Sequence, residues 1–133
     1  MRLVLAAALS LLSVPALAET PQALAERLDL TSFPNSTGPR RDVGLFTFSD
    51  FGFTAIEADG PVVRFADPED GWTFIVMLLE PRNGRQRLCV EDKAENGGSY
   101  HTRHAYEVVE GRTGLVHATA TRVTDPKCAA LGE

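Results

Sequence analysis

The chain is poor in several things that would announce a function. It has 2 cysteines, 1 tryptophan and 3 histidines in 133 residues, so it is no cysteine-framework protein. Its 13 Lys and Arg are outnumbered by 18 Asp and Glu, for a net charge of −5. Binding through nucleic-acid phosphates needs a dense positive stripe to displace counterions, and this balance argues against a nucleic-acid partner. There is no internal repeat and no low-complexity tract. Gly-x-Ser-x-Gly, His-Glu-x-x-His and nucleotide-binding loops are all missing, so no catalytic constellation is legible and no cofactor is expected.

What is present begins at the first residues. Arg2 is the only charge before Glu19, Leu3 to Leu12 is almost wholly aliphatic, and Ala16, Leu17 and Ala18 make a small-x-small ending. That pattern reads as a secretory signal peptide cleaved after Ala18. Its apolar core is shorter than the roughly 20 residues of a spanning helix, and no later run is long and apolar enough to span. The mature chain is therefore expected without a membrane span, and one unit more negative once Arg2 is gone. Of the basic residues 11 are Arg and 2 are Lys, and Ala is abundant, a composition suited to a GC-rich bacterial coding sequence. The expected destination is the periplasm or the medium.

Export bears on the sulfur chemistry. In an oxidising compartment Cys89 and Cys128 are expected to pair. The bridge closes a loop of about 40 residues, for which the loop-entropy model gives roughly 4 kcal/mol. No Cys-x-x-Cys spacing poises either thiol for reactivity.

Three stretches follow the leader: 1–18 as signal peptide, 19–42 as a short helix with an irregular segment, and 43–133 as an antiparallel β domain. Thr20 can cap a helix, Pro21 suits its first position, and Gln22 to Leu28 are good helix formers. Ser32, Pro34, Asn35, Ser36, Thr37, Gly38 and Pro39 then crowd together as only irregular structure tolerates. The sequon at 35–37 carries no weight in a bacterial setting. From Val43 onward, short runs rich in Val, Phe, Thr, Ile and Tyr alternate with Gly, Asp and Asn, which indicates an all-β fold, a sandwich or small barrel of about seven strands. The expected strands are Leu45 to Phe48, Phe51 to Ala58, Val62 to Phe65, Trp72 to Glu80, Arg85 to Glu91, Ser99 to Val109 and Thr113 to Val123.

Turn chemistry suggests the registers. Asn83 and Gly84 are the strongest hairpin signal, since both tolerate the positive φ of a type I′ turn. Pairing outward sets Glu80 against Arg87, Leu79 against Leu88 and Leu78 against Cys89, with Cys89 on the apolar face of Trp72, Phe74, Val76 and Leu78. A second hairpin at Asp59 and Gly60 places Ile56 opposite Val63. A third turn at Ser49 and Asp50 sets Phe48 against Phe51 and Phe46 against Phe53; a bulged strand near Gly52 is the alternative, and both make these rings core.

Two groups of residues are candidates for binding. If the last hairpin turns at Glu110 and Gly111, His104 pairs with His117 and shares a face with Tyr100, Tyr106, Thr102, Thr119 and Leu115. Apolar walls with a few oriented donors suit a shallow ligand site, whose residues would be Tyr100, His104, Tyr106 and His117. The same pair of imidazoles underlies the rival reading, a small metal-binding protein or enzyme helped by Tyr100, Tyr106 or Glu107, although no third ligand stands at a diagnostic spacing. A longer loop including Arg112 would instead set Tyr106 opposite His117. The second group is Arg82, Arg85 and Arg87 around the Asn83–Gly84 tip, a local positive point suited to an acidic partner. Arg87 is expected to face Glu80 in a surface ion pair, and a merely solvated turn is the plain alternative. The loop Asp67, Pro68, Glu69, Asp70, Gly71 lacks the alternating acids of a calcium loop. Asn96, Gly97 and Gly98 form a bend with no helix or Lys after them to cradle a phosphate.

Together these features describe an exported binding or interaction module, an inhibitor or accessory of an envelope enzyme or assembly. Its expected partner is a periplasmic protein or a small envelope-derived ligand.

Overall fold

The computed structural model describes residues 19–33, 44–67, 69 and 71–131. The leader, the sequon, most of the breaker segment, and Pro68 and Asp70 of the acidic loop lie outside the described residues.

Thr20 accepts a hydrogen bond from the Ala23 N–H at 3.1 Å and opens helix α1, Pro21–Glu26, with proline in the first turn where its missing N–H costs nothing. The helix stops two residues short of Leu28. Leu28–Asp29 forms a two-residue strand, β1, and a 3₁₀ turn follows at Leu30–Ser32. A six-residue helix has little propagation energy of its own, so pairing with the sheet overrides the helix propensity of Leu28.

The remaining strands are β2 (Thr54–Asp59), β3 (Val62–Asp67), β4 (Trp72–Arg82), β5 (Arg85–Ala94), β6 (His101–Glu110) and β7 (Val116–Val123), and a short helix α2, Pro126–Ala129, ends the described chain. They form one sheet in the order β1-β7-β6-β5-β4-β3-β2. Strands make up about half of the described residues, in a single curled sheet that closes half a barrel. Thus the alternatives of sandwich and barrel resolve to one sheet. β2 to β7 run as an antiparallel meander, and β1 adds in parallel at the β7 edge, Leu28 opposite Val116 and Asp29 opposite His117.

Two apolar clusters lie on opposite faces. The larger gathers Leu24, Leu28, Phe33, Phe48, Phe65, Phe74, Val76, Leu88 and Tyr106, among others, under α1 and the 44–53 loop. The smaller holds Met77, Leu79, Cys89, Ala105 and Cys128 beneath α2.

The hairpin at Asn83 and Gly84 forms, with φ of 53° and 72°, but its register differs from the expected one. Arg82 faces Arg85 and Leu79 faces Arg87, so Glu80 and Pro81 together oppose Gln86. Proline cannot donate to the ladder, and the bulge absorbs it. The Gln86 side-chain amide donates to the Leu79 carbonyl at 3.0 Å and to its neighbour Arg87's at 2.8 Å. One extra residue reverses every side chain beyond it. Cys89 therefore faces Met77, and the Cys89–Cys128 disulfide sits on the α2 face, away from Trp72, Phe74, Val76 and Leu78.

The other two expected turns also change. Asp59 pairs with Val62 and Ala58 with Val63, while Ile56 is bulged out between Ala55 and Glu57; it does not oppose Val63, and it is 58% exposed. Residues 45–53 form no strand. Asp50 instead folds the segment into a compact turn, its carboxylate accepting the Phe46 and Thr47 N–H groups at 2.9 Å each. These bonds, Thr47's first, hold the Asp50 carboxyl below the usual carboxylate range. The expected aromatic pairs give way to a different cluster. Phe48 stacks on Phe65 at 3.9 Å between centroids and meets Phe53 and Phe74 edge-on, Phe51 is half-buried, and Phe46 is exposed.

Candidate functional site

The last hairpin turns through a five-residue loop from Gly111 to Leu115, closed by the Gly111 N–H donating to the Leu115 carbonyl at 2.8 Å. Val109 consequently opposes His117 and Glu110 opposes Val116. His104 lies elsewhere, across from Val90 on β5, so the two histidines do not face one another. Among the described residues no group of three or more His, Cys, Asp or Glu is placed to hold a metal ion.

His117 has a structural partner. Its Nδ1 lies 3.0 Å from Asp29 Oδ2, and the other oxygen of Asp29 accepts the N–H and hydroxyl of Thr31 at 2.9 and 2.6 Å. Asp29 is only 6% exposed, and its carboxylate is satisfied on both oxygens, as a buried charge requires. Ser32 adds to the lock, donating to the Asp29 carbonyl at 2.6 Å and accepting from the Ala118 N–H at 2.8 Å. Arg27 reaches across to Gly114, Glu19 and Glu110; its hydrogen bond to Glu19 outweighs desolvation and raises its already high pKa.

Tyr100, His104 and Tyr106 fall near one another on β6 or its approach, each against different neighbours. Tyr106 is buried, edge-on to Phe33 at 5.1 Å. His104 is half-buried, its ring 6.2 Å from that of Tyr106. Tyr100 leans on Trp72 at 5.4 Å, and its hydroxyl lies 3.3 Å from Thr102 Oγ1. Trp72 in turn donates its indole N–H to buried Asp92.

The arginine tip is smaller than expected. The bulge at Pro81 turns Arg87 away from Glu80's side chain and into the protein, where it is 3% exposed and paired with Asp125, the residue that caps α2. Burial raises the Asp125 pKa, but the Arg87 hydrogen bond and the Lys127 N–H outweigh it, and the carboxyl lies below its ordinary value. Arg85 pairs with Glu107 at 3.3 Å on the surface. Of the three tip arginines, Arg82 alone is exposed with no ion pair among the described residues.

Arg87, Cys89 and Glu91 alternate along β5 and form a row on the α2 face. The first binds Asp125, the second bridges to Cys128, and the third is held by Arg103 at 2.7 Å. Arg103 also donates to the Ala129 carbonyl at 2.8 Å. Three successive positions of one face thus clamp a four-residue helix that could not persist alone.

The opposite end of the sheet looks different. All six residues of β2 are exposed, and it is the terminal strand of the sheet. A cavity of about 460 Å³ opens at its start. Phe48, Phe53 and Phe65 form the apolar wall, Gln22 and Glu26 of α1 the polar rim, and Thr54 and Ala55 carry β2 into it. From the sequence the phenylalanines are legible only as core; the opening depends on Asp50, whose turn brings Phe48 and Phe53 beside β3.

Comparison with protein-family models, with curated proteins and with solved structures finds no match to this chain.

Proposed function

We propose that the protein is an exported binding or interaction module, periplasmic or secreted, which takes up an extended segment of a partner along the free edge of β2. The observation that carries this reading is an edge strand exposed along its whole length and leading directly into an aromatic-walled cavity. An uncovered edge presents unpaired N–H and C=O groups, which soluble proteins ordinarily cover or block. A strand added there gains main-chain hydrogen bonds, while pockets for alternate side chains give specificity. The disulfide and the Arg87–Asp125 pair stiffen the far side of the sheet, which limits the entropy lost on docking.

The arginine tip is the weaker contact surface, since Arg87 is buried and Arg85 is engaged by Glu107. The metal-protein reading loses its basis with the separation of His104 from His117.

Selection of linear peptides against the purified exported protein, followed by N-methylation of each backbone amide of a selected peptide in turn, tests the proposal. Strand addition predicts loss of binding at every second amide; a peptide indifferent to N-methylation at all positions would contradict it. Export is tested separately by the mass of the protein from cells. A chain beginning at Glu19 with oxidised cysteines is expected, and an intact Met1 with two free thiols would overturn it.

A further inference from the structure

Resting on that reading, we propose that the segment accepted by β2 is basic on one face and carries a large apolar anchor on the other. Side chains alternate along a strand, and the two faces of β2 differ in chemistry. Glu57 opposes Arg64, and Asp59 opposes Val62. Both acids are exposed. Glu57 makes only a 3.5 Å contact with the exposed Arg64, a pair too solvated to neutralise it. Among the described residues Asp59 has no ion-pair partner. This side of β2 is therefore acidic, on a chain of net charge −5.

On the other side Ala55 opposes Phe65 and Ala58 opposes Val63. Phe65 and Val63 are 1% and 0% exposed and belong to the main core, so this side of β2 borders the apolar interior. Two small alanines leave room above it, and the cavity walled by Phe48, Phe53 and Phe65 begins at Ala55. A volume of about 460 Å³ is within the range of ligand pockets and has room for one large side chain, with the edges of Phe48, Phe53 and Phe65 on one side and Gln22, Glu26, Ser49 and Thr54 on the other. A second copy of this chain is the wrong occupant. Two antiparallel β2 edges would bring Glu57 and Asp59 of both copies together, and like charges across a strand pair repel.

The alternation defines the probe: acetyl-Lys-Thr-Lys-Phe-Lys-Thr-Lys-amide, with lysines on one face and the phenylalanine on the other. Titrated into the purified full-length exported protein by calorimetry, it should bind at least about tenfold more tightly than its Lys-to-Glu counterpart. It should also bind about tenfold more tightly than its Phe-to-Ser counterpart, which cannot fill the cavity. A chain carrying Glu57→Gln and Asp59→Asn, both at exposed positions, should keep the Phe preference and lose most of the Lys preference. Ala55→Trp, which fills the cavity from the surface, should do the reverse.

Equal binding of the lysine and glutamate peptides, or no binding of the parent peptide, would overturn the inference about chemistry. Two alternately N-methylated parents, one for each set of amides, distinguish the two levels. If both bind as well as the unmethylated form, strand addition itself fails; if only the charge or Phe preference is missing, strand addition stands and the proposed partner class falls.

Discussion

At one edge of the sheet, β1 is tied down by Asp29 to His117, by Ser32 to the Ala118 N–H, and by Arg27 to Gly114. At the other edge, β2 has only β3 beside it among the described residues, and it carries no buried residue. The same asymmetry runs through the interior. The β5–β6 side carries buried Arg87, Glu91 and Asp92 and a disulfide, whereas the β2 side carries exposed alanines, two exposed acids and Ile56. Buried polar locks fix one geometry, because leaving any of them half-made is costly. An edge without locks is free to take a new partner. The difference puts the polar locks on one flank of the molecule, and the proposed recognition edge on the other.

This contrast can be broken by mutation, with effects that should fall steadily from the locked flank to the open one. Asp125→Ala leaves the Arg87 guanidinium buried without its carboxylate and should cost about 3–5 kcal/mol in denaturant unfolding. Replacing Cys89 and Cys128 by serine should cost about 2–4 kcal/mol, read the same way and compared with the reduced wild type. Asp29→Ala should cost about 1–3 kcal/mol, from the Thr31 donors and His117 it leaves unsatisfied. On the open flank, Ile56→Ser should change stability by less than about 0.5 kcal/mol, since the side chain is 58% exposed and supports nothing. A large loss at Ile56, or none at Asp125, would erase the distinction.

Acid sharpens the same comparison. The Asp125 carboxyl lies below its ordinary pKa, so its stabilisation is complete above the unfolded-state value and disappears as pH falls through the folded-state value. Wild type and Asp125→Asn should differ in melting temperature at neutral pH and converge in acid. A difference independent of pH would mean that the charge on Asp125 does not hold the clasp.

How much of this was legible depended on which physics was local. Asn83 and Gly84 identify their turn because positive φ is a property of the residues themselves. Thr20 with Pro21 marks where α1 starts for the same reason. The registers depended on bulges, which turn residues do not specify. Pro81 displaced β4 by one residue, carrying Cys89 and Arg87 to the other face; in β2 the turn falls one residue later, at Gly60 and Pro61, so Ala58 opposes Val63 before the bulge at Ile56 is reached. The histidine pairing failed at Gly111. A Cβ there would stand 2.5 Å from the Nε2 of His117, so the glycine marks the close approach of that ring, while the bend extends to Leu115. β1 was invisible because two residues carry no periodicity, and with it went the role of Asp29. Of the candidate site, Phe48 and Phe53 were recognised as buried, but a cavity between a helix, a loop and a strand edge is a tertiary object with no sequence period.

Backbone hydrogen exchange with and without the Lys-Thr-Lys-Phe-Lys-Thr-Lys peptide tests the central claim most directly. Strand addition at the open edge predicts new protection confined to amides of residues 54–59, with β1 and β7 unchanged. Protection that instead appears around Arg82 and Arg85, or that leaves β2 exchanging as before, would contradict the account.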